Sequence, residues 1–174
     1  MASEPGSAGL RFRPAGDADW PLIWPVFEQV VRAADTYAYD PDTDFDAGRT
    51  LWLAGPPDQA WLVTDEQDAA LGSYKAGPNR AGPGAHVATA SYLVAEASRG
   101  RGIGRAMVLH SLQQARDAGY RGLQFNAVAA SNVYAIKLYH DLGFRTVGAV
   151  PGGFRHPEQG FVDLLVMYYD LTAP

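Results

Sequence analysis

Val94-Ala95-Glu96-Ala97-Ser98-Arg99-Gly100-Arg101-Gly102-Ile103-Gly104-Arg105-Ala106-Met107 carries an alternating apolar stretch through a glycine-rich turn into a helical pattern. Upstream, Ala88, Ala90, Tyr92 and Val94 fall on one face and Thr89, Ser91 and Leu93 on the other, which predicts a strand over His86–Val94. Downstream, Gly104, Val108, Leu112 and Ala115 share one helix face, and Gly119 ends the helix. A helix N-terminus presents unpaired backbone N–H groups and a partial positive charge, so this strand–turn–helix is a cradle for phosphate. Gly100, Gly102 and Gly104 let the backbone approach an anion closely, with Ile103 between them. Arg99, Arg101 and Arg105 offer charge-assisted hydrogen bonds to a pyrophosphate. The turn is not a P-loop, because Arg105 and Ala106 stand where Lys and Ser/Thr are required. It is not a dinucleotide fingerprint either, because Arg105 takes the third glycine's place. A tight turn with surface arginines is the plain alternative.

The flanks give the fold class. Leu10–Arg13 reads as a short strand and Asp17–Ala34 as a helix, with Pro25 expected to break or kink it. An acidic, tyrosine-bearing loop over Asp35–Asp46 leads into a helix over Phe45–Ala54. Strands over Trp61–Thr64 and Leu71–Ala76 flank a polar turn, and Gly77–Gly84 reads as a loop. After the central helix come a strand, Leu123–Val128, and a helix, Ser131–Leu142, with Ser131 as N-cap. The last strands, Phe144–Val150 and Val162–Tyr169, are separated by a Pro/Gly-rich loop. This order predicts an α/β sheet, partly antiparallel, with a parallel crossover at the Met107 helix. Residues 10–174 are expected to form one domain behind a loose tail over residues 1–9.

The net charge of -5 gives no general pull towards nucleic acid or anionic membrane, so neither is expected as a partner. With no cysteine, disulfides, thiolate metal sites and a cysteine nucleophile are excluded, which suits a cytoplasmic location. His86, His110, His140 and His156 lack metal-ligand spacing, so no metal is expected; His110 and His140 read as surface residues.

Arg99, Gly102 and Gly104 occupy the fixed places of the pattern Arg/Gln-x-x-Gly-x-Gly/Ala. The segment therefore resembles motif A of the GNAT superfamily of N-acetyltransferases. Asn126, then Asn132, Ala135 and Tyr139, then Leu142-Gly143-Phe144, resemble that family's second segment. The resemblance implies a GNAT fold: a mixed sheet of about seven strands flanked by four helices and splayed at an acetyl-CoA site. Acetyl-CoA would be the cosubstrate. Its acetyl group would pass directly to the primary amine of a small molecule. By the same likeness, the strand at Tyr92, Leu93 and Val94 would hold the pantetheine arm, with Asn126 and Asn132 also on the cofactor. Tyr139 would be the general acid for the departing thiolate. Pro151–His156 and Gly160–Asp163, with Asp35-Thr36-Tyr37, resemble the phosphinothricin-type subgroup, although Thr89 stands roughly where that subgroup offers a glutamate base.

Glu96, Glu28 and His86 are weak base candidates, and none is assigned. Tyr37, Tyr39 and Asp35, among further acids and Phe45, suit a cationic amine; a solvated acidic loop is the competing reading. Two rival functions remain: an acyl-CoA-binding regulatory module without turnover, and a nucleotide-phosphate-binding protein. The apolar terminal strands suggest a homodimer.

Overall fold

The computed structural model describes residues 9–173; most of the expected N-terminal tail lies outside them. Seven strands form one sheet: β1 (Arg11–Pro14), β2 (Gln59–Thr64), β3 (Ala70–Pro78), β4 (Val87–Val94), β5 (Gly122–Ala129), β6 (Arg145–His156) and β7 (Gly160–Asp170). Four helices accompany it: α1 (Trp20–Ala33), α2 (Phe45–Trp52), α3 (Ile103–Asp117) and α4 (Val133–Asp141). The strand order is β1-β2-β3-β4-β5-β7-β6. Every pairing is antiparallel except β4 with β5, which α3 joins as the expected crossover.

The core is divided by the sheet. One cluster seats α1 and α2, through Trp20, Phe27, Val31 and Trp52, against Leu62 and Leu93. Another joins α3, through Val108 and Leu112, to Ala88, Ala90, Phe125, Phe144 and Met167. The alternation along β4 therefore sorts as its sequence indicates, Ala88 and Ala90 toward α3 and Leu93 toward α1.

Four expectations need correction. Pro25 lies inside a continuous α1. The bond it cannot make is the one to the carbonyl of Pro21 in the first turn, and the buried face from Trp20 to Val31 holds the helix together. Asn132, not Ser131, caps α4: its Oδ1 accepts the Ala135 N–H at 3.2 Å. The Pro/Gly-rich stretch Pro151–Gly153 belongs to β6, where the register with β7 shifts between Val150 and Phe154. Such an irregularity on an edge strand accommodates a proline. His110 is half-buried, stacked on Phe12 at 4.3 Å, with Nδ1 at 2.6 Å from the Tyr74 hydroxyl.

Among the described residues, no helix is long and apolar enough to cross a membrane.

Candidate active site

β4 and β5 pair only at Val87↔Gly122 and Ala88↔Leu123. Beyond that point they part, and β5 loses register with β7 between Phe125 and Val128. Alternation in the β3–β4 ladder turns the backbone groups of Leu93 toward Ser73 and those of Tyr92 toward the gap. The gap opens into a cavity of about 420 Å³. Its walls are β4 (Thr89–Tyr92 and Val94), β5 (Phe125–Ala129), α4 (Ala135, Leu138, Tyr139) and the loop Thr36–Tyr39. Arg99 and Gly104 stand at its end.

The glycine-rich turn leads into that end. Gly100 and Gly102 have φ of 74° and 79°, a conformation costing other residues about 1–2 kcal/mol. Gly102 is the N-cap of α3, and the first helical bond runs from the Ala106 N–H to its carbonyl. The N–H groups of Ile103 and Gly104 precede any helical partner. Apart from their own chain neighbours, no described atom lies within 4 Å of where a Cβ would sit on Gly100 or Gly102. The turn is thus open around both glycines. Arg99 and Arg101 are exposed around it, and Arg105 lies on the first turn of α3. Ile103 is buried and contributes only its backbone.

Tyr139 packs its ring against Phe125 and Phe144, with centroids at 4.5 and 5.7 Å. Burial raises its pKa from 10 to about 12, so the phenol stays protonated at neutral pH. Its hydroxyl has no hydrogen-bond partner among the described residues. Asn132, at the head of α4, and Asn126, in the irregular part of β5, also line the cavity. The Asn126 Nδ2 donates to Asn79 Oδ1 at 2.6 Å.

Other expected site residues separate. Leu93 is fully buried toward α1 and does not line the cavity. Asp35 lies outside the cavity lining, whereas Tyr37 and Tyr39 are part of it. Asp44 caps α2 by accepting the Ala47 N–H, and Asp40 accepts the Asp42 N–H. Those acids serve their own loop. Glu96 is held by Gln29, Glu28 by Arg32, and His86 is exposed beside the Pro83 carbonyl. No Asp, Glu or His lines the cavity among the described residues. Ala127–Ala129 and Thr36 line the cavity too; for the former the sequence signal is the parallel crossover that sets β5 beside β4.

Residues 24–144 match the Acetyltransferase (GNAT) family. The chain belongs to that family. It is 47% identical to a GCN5-related N-acetyltransferase from Kribbella flavida, whose structure superposes with a TM-score of 0.89 over 94% of this GNAT chain and 98% of that one. yncA from Salmonella typhimurium, solved with its cofactor acetyl-CoA, has the same fold at 22% identity, with a TM-score of 0.77 over 95% of each chain. The N-acetyltransferase aca1 of Schizosaccharomyces pombe is 31% identical over 118 residues, which are 67% of this chain and 56% of that one. The chain thus matches about half or less of the length of its curated relatives.

Proposed function

We propose that this protein transfers the acetyl group of acetyl-CoA to the primary amine of a small molecule. The observation that carries the reading is the gap between β4 and β5, which joins the glycine-rich head of α3 to Tyr139 in one cavity. The pyrophosphate would rest on the N–H groups at the head of α3, with Arg99 and Arg101 beside it. The pantetheine arm would follow the open edge of β4 from Val94. Acetyl-CoA bound by yncA, of the same fold, supports this assignment.

The amine nitrogen attacks the thioester carbon, a C–N bond forms, and the C–S bond breaks. Burial raises the Tyr139 phenol to about 12, so it is protonated when the C–S bond breaks. Tyr139 therefore acts by donating a hydrogen bond to the sulfur as charge develops there, and the proton shed by the attacking nitrogen, carried by water, completes the thiol. With no carboxylate or imidazole on the cavity wall among the described residues, the acceptor reacts as the neutral amine already present in solution. Its aromatic and hydroxyl surroundings, Tyr37, Tyr39, Thr36, Thr89 and Ser91, suit a small neutral amine. The volume is at the lower end for small-molecule sites.

A thiol-release screen of small amines with acetyl-CoA tests this. Turnover should rise with pH according to the pKa of each amine. Tight acetyl-CoA binding with no turnover on any amine would instead support a regulatory module.

A further inference from the structure

The hydroxyl of Tyr37 is lodged on the open edge of β4. It donates to the carbonyl oxygen of Tyr92 at 2.7 Å and accepts from the Tyr92 N–H at 2.8 Å. One side chain thereby takes both hydrogen bonds that an adjoining strand would make at that position. The ring is fixed from behind. Tyr37 stacks on Tyr39, with centroids 5.5 Å apart and planes at 4°, and Tyr39 stacks on fully buried Phe27 at 5.9 Å. Both tyrosines pack against the cluster beneath α1. Tyr37 is thus an extension of the core, and it forms a wall of the cavity.

Its place along β4 gives the wall a meaning. From Arg99 and Gly104 the open edge runs back through Val94 to Tyr92, two residues or about 6.6 Å further on. Tyr37 stands at that second position, close enough to Tyr139 that a charge on one would oppose a charge on the other. A chain that enters beside the glycine-rich turn and follows β4 meets Tyr37 at Tyr92, in the cavity that Tyr139 also lines.

We propose that Tyr37 sets the length of the acyl group: it closes the edge of β4 at Tyr92, so that an acetyl group fits and a longer chain does not. This rests on reading the cavity as an acyl-CoA site. Admitting a longer chain requires the ring to move, with loss of two hydrogen bonds and a stacked contact. That loss corresponds to a discrimination of about tenfold or more.

Calorimetric titration of the full chain with CoA, acetyl-, propionyl-, butyryl- and hexanoyl-CoA tests the proposal without any acceptor. The wild type should bind acetyl-CoA about as tightly as CoA, and hexanoyl-CoA about tenfold or more weakly. Tyr37→Phe removes one oxygen and should recover propionyl-CoA selectively. Tyr37→Ala removes the wall and should bring butyryl- and hexanoyl-CoA to within about threefold of CoA in the same variant. Wild-type protein that binds hexanoyl-CoA as tightly as acetyl-CoA overturns the proposal, whatever the variants do. So does a Tyr37→Ala protein that binds CoA and keeps the full discrimination. Failure of the wild type to bind CoA itself would remove the acyl-CoA reading, and this inference with it.

Discussion

The ring of Tyr139 lies 4.5 Å from the ring of Phe125, tilted at 47°, so a residue of α4 is held across the gap by the strand that forms its far wall. This contact fixes the hydroxyl without using it. Tyr139→Phe keeps the ring in place, and folding and CoA affinity should barely change. Loss of one donor aimed at developing charge typically costs about 10²–10³-fold. We expect that loss in the single-turnover rate and not in KM for acetyl-CoA. A Phe variant with the parental single-turnover rate would take Tyr139 out of the mechanism.

Gly102→Val tests the phosphate cradle. A branched side chain at φ 79° is strained and would project where the anion is placed. CoA affinity should fall severely, about 100-fold or more, since both a backbone donor and the space above it are disturbed. Gly102→Ala, milder in strain, should fall in between. Unchanged CoA affinity in a folded Val variant would show that the pyrophosphate lies elsewhere.

The parts legible in the sequence are those whose chemistry is local. Arg99–Gly104 is contiguous, and the glycine-rich turn into α3 can be read within those six residues. The strand–helix order around it likewise predicts the crossover. The Tyr37–Tyr92 bond joins residues 55 apart, and nothing near either tyrosine announces the other. Leu93 enters the expected site through the family resemblance, and its place on the face opposite Tyr92 and Val94, toward α1, is the one the alternation along β4 indicates. Ser131 and Asn132 are both good helix caps, so composition does not choose between them; in the structure the Ser131 hydroxyl is buried without a partner among the described residues.

The β6 edge bears on assembly. Residues 145–153 of β6 are exposed on both faces of the strand, and Val147, Val150 and Phe161 are 59%, 51% and 76% exposed. Long apolar edges of this kind pair with another chain, and a two-fold partner offers the same edge in return. We expect light scattering at micromolar concentration to give twice the 18.7 kDa of the chain. Val147→Lys should shift the mass toward the monomer. A wild-type monomer under those conditions would sink the expectation.

His110 gives the stability a pH dependence. Its imidazole is enclosed by Phe12, Trp61 and Tyr74, and burial lowers its pKa from the ordinary 6.5. None of the three surrounding rings carries a charge, since burial also raises the Tyr74 phenol far above 10. In the folded protein the ring therefore stays neutral at a pH where the unfolded chain has already taken up a proton. The unfolded state binds more protons below 6.5, so stability is fully present above that value and falls as the pH drops toward the folded pKa. We expect Tm to decrease between about pH 7 and about pH 5. His110→Gln keeps a polar side chain for the Tyr74 hydroxyl and removes the titration. It should be less stable than the wild type near neutrality, and the gap should narrow in acid. A gap that stays constant across this range would mean that His110 carries no such linkage, and that the acid sensitivity belongs to the carboxylates instead.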